Sequence, residues 1–185
     1  MNLKNKSKTL SYLLRHGAMS AGLKMDEAGW ASITDVCRLT HLTEAQLNEV
    51  IARNNKQRLQ REGDRIRCSQ GHSTDGMPVT QAALEASWER IEPRGLIYHG
   101  TQLKALPEIL AKGLLPMGRT HVHLAASPTS RVGKRANVAV LLHIDPARLS
   151  GLWRSPNGVV LARAVPPEAI VEVEPVTARA KAALG

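Results

Sequence analysis

The sequence predicts an α+β protein with two lobes, because the spacing of its apolar residues changes along the chain. Apolar residues in the first third follow a helical period and change to strand-like alternation near residue 57. The second half contains short apolar runs separated by turn residues, with few helical stretches. Such short strands favour a compact α+β lobe over a parallel βαβ sheet. A chain of 185 residues can form two small cores.

The first predicted helix runs from Lys4 to His16. Its buried stripe has the i, i+3, i+4 spacing and consists of Leu10, Leu13 and Leu14. Gly17 is expected to end the helix in a left-handed conformation. Arg15 and His16 then lie at a fixed helix end, where a permanent cation and a group that titrates near neutrality suit oxyanion binding and proton transfer. The alternative is that both residues only complement the helix dipole.

Two more helices and a hairpin complete the first half. A short helix is predicted to begin at Ser32, and the capping-box pattern Thr43–Gln46 predicts the start of a third helix. Residues 57–61 and 65–68 are predicted strands joined by a turn at Gly63. Three helices followed by a β-hairpin resemble a winged helix, which is a common nucleic-acid-binding shape.

The predicted hairpin is rich in basic residues: Lys56, Arg58, Arg61, Arg65 and Arg67. Alternation places Arg65 and Arg67 on the face opposite Ile66 and Cys68. A row of cations on one face suits contacts with RNA phosphates. A solvated basic face is the alternative interpretation.

A second lobe is predicted after a connector. We expect a first lobe at 1–75, a connector at 76–93 and a second lobe at 94–185. The second lobe begins with an apolar strand that ends at Thr101, followed by a helix over 103–112. The remaining elements are strands at 121–124, 138–144, 159–164 and 170–173, a short helix near 129–135, and a frayed helix from Ala178.

The charge distribution points to an anionic partner. The formal net charge is +9, of which +2 falls in residues 1–92 and +7 in residues 93–185. The interval from Arg94 to Arg163 has only two acidic residues, Glu108 and Asp145. This half of the sequence therefore offers too few carboxylates for paired-carboxylate catalysis or a carboxylate-rich metal site. The sequence has neither a Rossmann glycine pattern nor a Walker A motif. Two isolated cysteines and no apolar run near ~20 residues predict a cytoplasmic protein without a membrane span.

Five motifs occur in a distinctive order. They are SYLLRH at 11–16, KQR at 56–58, QGHS at 70–73, YHGT at 98–101 and RTHVHL at 119–124. In order and spacing they resemble the RNA 2′-phosphotransferase family (KptA proteins). The resemblance extends over nearly the whole chain and includes VGKR at 132–135 and NGVVL at 157–161. Ala125 stands where the family often has serine, which moves a hydroxyl contact to Ser127 or removes it.

The resemblance implies a two-step reaction without a metal. An internal RNA 2′-phosphate, as left at a tRNA splice junction, attacks the nicotinamide ribose of NAD, and the ribose 2″-hydroxyl then attacks that phosphate. The products are 2′-hydroxyl RNA, nicotinamide and ADP-ribose 1″,2″-cyclic phosphate. The resemblance also implies an N-terminal winged-helix lobe and a C-terminal ADP-ribosyltransferase-like lobe that binds NAD. We expect a monomer that acts on tRNA-like RNA.

Site residues follow from the matched motifs. The implied catalytic set is Arg15, His16, Arg58 and Arg119. The implied NAD-binding residues are His99, Gly100, Thr101, His123, Ser127 and Arg135. The expected RNA-binding residues are Lys56, Arg65 and Arg67. The roles of Gln70, His72 and Ser73 stay open between orienting the site and tying down a loop.

Three other functions fit parts of the sequence. A non-enzymatic winged-helix protein that binds DNA or RNA explains the basic hairpin, but it leaves the YHGT motif unexplained. A metal enzyme would use His121 and His123, on one strand face, with His99 or His143 as a third ligand. An ADP-ribosyltransferase acting on terminal phosphates of nucleic acid would stop after the first step.

Overall fold

A computed structural model describes residues 2–54, 56–130, 132–133 and 137–185. Contacts divide the chain into two compact units. The first comprises Met1–Trp88 and Gly118–Thr120, and the second comprises Glu89–Met117 and His121–Gly185. The predicted α+β class is confirmed, since both units contain helices and antiparallel sheet. The division after Trp88 falls inside the predicted connector, whereas 118–120 joins the first unit instead of the second.

The first unit contains four helices and one small sheet. The helices are α1 (Leu3–His16), α2 (Ile33–Thr40), α3 (Glu44–Ala52) and α4 (Gln81–Ala86). The strands are β1 (Ala31–Ser32), β2 (Leu59–Glu62) and β3 (Arg65–Cys68), in the antiparallel order β1-β3-β2. The three leucines of the predicted α1 stripe are all buried in the core of this unit. The predicted hairpin is therefore confirmed, and β1 extends it to three strands.

Local signals set the helix ends. The Asn2 side chain accepts a hydrogen bond from the Asn5 backbone N–H and caps α1. The predicted capping box of α3 is confirmed in both directions between Thr43 and Gln46. The prediction for Gly17 is wrong, because its φ of −122° is not left-handed. A Cβ at Gly17 would lie 3.0 Å from Cε1 of Tyr12, so the absence of a side chain lets the Tyr12 ring pack closely on the backbone.

The described residues of the second unit form two antiparallel sheets and two α-helices. The strands are β4 (Glu89–Arg90), β5 (Ile97–Thr101), β6 (Val122–Leu124), β7 (Val140–Ile144), β8 (Trp153–Arg154), β9 (Val160–Ala162) and β10 (Ile170–Pro175). The helices are α5 (Leu106–Lys112) and α6 (Ala178–Leu184). The sheet orders are β10-β7-β5 and β4-β8-β9-β6. Apolar residues of both sheets and of α5 and α6 form the core of this unit.

Among the described residues, one backbone bridge connects the edges of the two sheets of the second unit. Tyr98 of β5 and Ala125, just after β6, exchange backbone hydrogen bonds of 2.9 and 2.8 Å. Beyond this pair β5 continues beside β7, whereas β6 continues beside β9. The adjoining edges of β5 and β6 therefore separate at this point.

Most predicted elements of the second unit are confirmed with shifted ends. The strands β4 and β8 were not predicted, since two residues each are too few to show alternation. The predicted helix near 129–135 is not found in its described residues, since residue 129 belongs to a turn and 130 and 132–133 are not helical; Arg131 and 134–136 lie outside the described residues. No helix in the described part of the chain is both long and apolar enough to span a membrane.

Candidate active site

Arg15 and His16 line an open pocket on the exposed side of α1. The pocket has a volume of about 280 Å³, and Arg58 completes its cationic wall. The other lining residues come from the preceding turns of α1: Ser7, Lys8, Ser11 and Tyr12. Because the buried leucines occupy the opposite face of the helix, the pocket face is free to present polar groups. Three of the four implied catalytic residues thus share one pocket.

Ser73 connects the end of α1 to the following motif. Its backbone N–H donates to the carbonyl of Arg15 at 2.9 Å, and its Oγ lies 2.7 Å from Nδ1 of His16. This second contact fixes the imidazole ring through Nδ1, so Nε2 is the nitrogen left to act on a ligand. Ser73 is therefore a positioning residue for His16.

Arg119 is brought to the first unit by backbone pairing with this same motif. Ser73 and Arg119 form an antiparallel bridge, flanked by hydrogen bonds from Thr74 N–H to Gly118 C=O (3.2 Å) and from Thr120 N–H to His72 C=O (3.1 Å). The Arg119 side chain is exposed. All four implied catalytic residues therefore belong to the first unit, although the predicted lobe limits put Arg119 in the second.

Arg58 is held by a turn that precedes β2. Its backbone N–H donates to Oδ1 of Asn54 at 3.3 Å, and its carbonyl accepts the Ser69 N–H at 2.8 Å. Gln57, immediately before it, has a positive φ of 45°. Burial lowers the pKa of Arg58, and the positive charge of Arg15, which lines the same pocket, lowers it further.

The pocket is an uncompensated cationic site. Nε and Nη2 of Arg15 are buried and have no hydrogen-bond partner among the described residues. Burial lowers the pKa of His16 below its usual value, and the charges of Arg15 and Arg119 lower it further. Guanidinium groups keep their charge under such conditions, so the site can bind an oxyanion without giving up its own protons.

Two residues behind the pocket fit around Arg15. Gly71 has a φ of +90°, and a Cβ there would lie 3.3 Å from Cζ of Arg15. Cys68 is fully buried, and burial raises the pKa of its thiol while the charges of Arg15 and Arg58 oppose that rise. Sequence reasoning missed Cys68 as a neighbour of the site, because a cysteine in a strand has no motif of its own. The alternation of β3 could only have indicated that it faces inward.

Arg67 shares the Trp30 side of the hairpin with Arg65, as alternation predicted, but it is buried there and not exposed. Arg67 is 3% exposed, and its guanidinium donates to Gln60 Oε1, Ala28 C=O and Ser87 Oγ at 2.7–3.1 Å. Its Cζ also lies 4.6 Å from the centre of the Trp30 ring. A cation engaged in this way holds the first unit together, so we no longer assign Arg67 to RNA.

The other two residues predicted to bind RNA differ from Arg67. Arg65 is exposed but lies within ion-pair distance of Glu62 and Asp26, at 3.4 and 3.9 Å. Lys56 is half-buried beside Arg58, before β2. Only Arg58 of the basic hairpin lines the pocket on α1.

Three of the implied NAD-binding residues, His99, Gly100 and His123, lie on β5 and β6 close to the point where these strands separate. Nδ1 of His99 lies 3.0 Å from the carbonyl oxygen of His123, so the ring donates this hydrogen bond through Nδ1. In an antiparallel strand, alternate residues direct both backbone groups to the same edge. Tyr98 faces the β6 edge, and Gly100 therefore faces it too. No described residue pairs with the backbone groups of Gly100 there.

Gly100 is required by packing as well. A Cβ at this position would overlap the Val138 side chain. The packing of Val138 alone therefore explains why glycine stands at this position. Thr101 is buried at the end of β5, and Ser127 is half-buried with its Oγ 3.4 Å from Oγ1 of Thr129. Arg135 lies outside the described residues.

The histidines of the metal-enzyme alternative are engaged elsewhere. His121 is buried against Trp153, with ring centres 5.9 Å apart. His143 lies between Glu172 and Glu174, at 3.3 and 2.9 Å. No group of three histidine, cysteine or carboxylate side chains in the described part of the chain is arranged to hold a metal ion.

The fold and the pocket together define an α+β protein with a cationic pocket on α1. The model of the RNA 2'-phosphotransferase, Tpt1 / KptA family matches residues 2–164. The chain belongs to this family. A probable RNA 2'-phosphotransferase of Acaryochloris marina is 39% identical over 93% of this chain and 98% of its own length. Corresponding proteins of Burkholderia lata and Pseudomonas aeruginosa are 41% and 38% identical, over 91% and 89% of this chain and 90% and 93% of theirs.

Proposed function

We propose that this protein removes an internal 2′-phosphate from RNA with NAD as the co-substrate. The products are 2′-hydroxyl RNA, nicotinamide and ADP-ribose 1″,2″-cyclic phosphate. Family membership supports the phosphate removal, since the matched relatives are named for it. The observation that carries the proposal is the pocket of Arg15, His16 and Arg58, whose cations pair with no carboxylate in the part of the chain that the structure describes.

In the first step, an oxygen of the RNA 2′-phosphate attacks the anomeric carbon of the nicotinamide ribose. The bond to nicotinamide breaks, and its electron pair leaves with nicotinamide. A phosphate oxygen is already anionic, so the attack needs no carboxylate base. Arg15 and Arg58 would hold the other phosphate oxygens through charge-assisted hydrogen bonds and so orient the attacking one.

The separated edge of β5 fits the nicotinamide end of NAD. A primary carboxamide has donors and an acceptor side by side, and the Gly100 backbone offers an acceptor and a donor on one edge. His99 lies beside this edge and is held by the His123 carbonyl. These residues would therefore bind and orient NAD, while the cations of the first unit act on the phosphate.

In the second step, the ribose 2″-hydroxyl attacks the phosphorus, and the RNA 2′-oxygen leaves. Negative charge grows on the non-bridging oxygens, where the guanidinium groups stabilise it. His16 would supply the proton to the leaving oxygen, and the proton that the 2″-hydroxyl loses passes to solvent, so that protons balance over the step. Its pKa is low in the free protein, but a bound phosphate anion raises it and so favours the protonated acid.

The proposal also interprets the two units. We interpret helices α1–α3 and the β1-β3-β2 sheet as the secondary-structure elements of a winged-helix lobe. We interpret the two antiparallel sheets, whose adjoining edges separate after the Tyr98–Ala125 pair, as an ADP-ribosyltransferase-like lobe. This interpretation assigns phosphate chemistry to the first unit and NAD binding to the second.

The test is a reaction of the whole protein with NAD and an oligoribonucleotide that carries one internal 2′-phosphate. We expect nicotinamide, ADP-ribose 1″,2″-cyclic phosphate and the 2′-hydroxyl oligonucleotide in equal amounts by mass spectrometry. The matched oligonucleotide with a 2′-hydroxyl should release no nicotinamide above background. Binding of the phosphorylated RNA without turnover would overturn the enzyme proposal in favour of a non-enzymatic nucleic-acid-binding protein.

An Arg119→Ala variant tests the order of steps. If Arg119 stabilises the second transition state, ADP-ribosylated RNA should accumulate while nicotinamide release continues. Equal loss of both steps would contradict that role for Arg119. A stable ADP-ribose adduct formed by the wild type on a terminal phosphate, with no cyclic product from the internal one, would instead favour an ADP-ribosyltransferase.

A further inference from the structure

Half of the α1 pocket has no role in the reaction described above. Ser7, Lys8, Ser11 and Tyr12 line the same pocket as Arg15 but lie one to two turns before it; we call these four residues the α1 strip. They form two rows at i, i+4 spacing, one ending at Arg15 and the other at His16. The strip is therefore continuous with the phosphate-binding end of the pocket.

Tyr12 presents a fixed aromatic ring to solvent. The residue is 63% exposed, although the leucines around it in sequence are buried. Its ring rests on Gly17, where a Cβ would come within 3.0 Å, and lies 6.0 Å from the His16 ring at a tilt of 49°. An exposed ring beside cations is the arrangement on which single-stranded nucleic acids stack their bases.

Lys8 adds a second cationic position on the strip. It is exposed, and no carboxylate among the described residues pairs with it. Helix α1 contains no acidic residue at all. Lys8 precedes Arg15 by seven residues, which corresponds to roughly 10 Å along a helix at 1.5 Å per residue. Lys8 can therefore contact an anion further along the strip than the one that Arg15 holds.

From this geometry we infer that the α1 strip binds the RNA nucleotide adjoining the one that carries the 2′-phosphate. Tyr12 stacks on its base, and Lys8 binds its phosphodiester with the hydroxyls of Ser7 and Ser11 beside it. The inference rests on the proposed function and narrows the substrate to RNA with a single-stranded flanking nucleotide. Stacking uses the face of a base, which all four bases share, so this nucleotide is bound without sequence preference.

The experiment compares two substrates of the whole protein, a short oligonucleotide with an internal 2′-phosphate and a nucleoside 2′-phosphate without flanking residues. Tyr12→Ala and Lys8→Gln should each raise KM for the oligonucleotide about tenfold, in the range expected for one base stack. Tyr12→Phe should behave as wild type. KM for NAD and kcat/KM for the nucleoside 2′-phosphate should not change.

Two control variants match these substitutions, one in the exposure of the side chain and the other in its charge. Met19→Ala removes a side chain with the same 63% exposure that does not line the pocket. Lys6→Gln removes a lysine on the opposite side of α1, since two residues correspond to about 200° of helix rotation. Both controls should keep the wild-type KM for the oligonucleotide.

Three outcomes would overturn the inference. The first is an unchanged KM for the oligonucleotide in Tyr12→Ala, and the second is an equal loss of kcat/KM on both 2′-phosphorylated substrates. The third is a rise in KM for NAD, which would place the adenine or nicotinamide ring on Tyr12. If the wild type turns over neither substrate, the proposed function fails. In that case, fluorescence anisotropy of the labelled oligonucleotide without NAD tests RNA binding by the α1 strip separately. Equal affinity of the wild type and Tyr12→Ala for the oligonucleotide would refute this binding.

Discussion

Arg15 and Arg67, both in the first unit, differ in what surrounds their guanidinium groups. Arg67 is enclosed by three hydrogen-bond acceptors and the face of Trp30. Arg15 has two buried guanidinium nitrogens without a partner among the described residues. A buried charge without a partner opposes folding, whereas a buried charge with its acceptors in place is costly to remove. The surroundings therefore indicate binding for Arg15 and stability for Arg67.

This contrast predicts opposite effects of one substitution. Arg15→Met should lower kcat about 10²–10³-fold, as expected for a lost transition-state donor, while the melting temperature stays the same or rises. Arg67→Met should lower the free energy of unfolding by roughly 2–4 kcal/mol, since several acceptors lose a charged donor. Calorimetry and steady-state kinetics check both. A destabilised Arg15→Met protein would contradict the binding role.

At the scale of elements, the main feature is the place where β5 leaves β6. The Tyr98–Ala125 pair holds the strands together, and the next residue of β5 that faces the same edge, Gly100, has no backbone partner among the described residues. At this point a side chain connects the two strands, since Nδ1 of His99 donates a hydrogen bond to the carbonyl of His123. A strand edge that is open for about one residue pair provides backbone donors and acceptors for a ligand.

Gly100 tests whether packing and ligand binding can be separated. Gly100→Ala should lower the melting temperature, because its Cβ overlaps the Val138 side chain. The double variant Gly100→Ala/Val138→Ala should restore stability and keep NAD binding, since the backbone N–H and C=O of residue 100 remain. Thermal denaturation and calorimetric titration with NAD measure the two effects. Loss of NAD binding in a stable double variant would show that the ligand itself excludes a Cβ.

At the scale of the whole molecule, the charge of the pocket links stability to pH. The pKa of His16 is lowered in the folded protein, so the unfolded chain takes up a proton that the folded protein does not. This contribution to stability is present above the unfolded pKa of about 6.5. It is lost as the pH falls through the lower pKa of the folded state.

An anion in the pocket should reverse that loss. We expect the wild type to lose more stability than His16→Gln between pH 7 and pH 5, and 20 mM sulfate, at about matched ionic strength, to reduce the difference by favouring protonated His16. Denaturant titrations at several pH values measure the effect. Identical pH profiles of the two proteins would mean that His16 does not sense the neighbouring cations.

The sequence by itself determined the α+β class, the capping box of α3, the strands of the hairpin and the family. These depend on local spacing and on motifs that are contiguous in the chain. Tertiary structure decided the rest. The alternation of β3 predicted an exposed Arg67, but Trp30 and Ser87 from distant positions cover it. Sequence order put Arg119 in the second lobe, but its backbone pairs with Ser73 in the first unit. Burial and backbone pairing depend on residues far apart in the chain, so no local pattern reveals them.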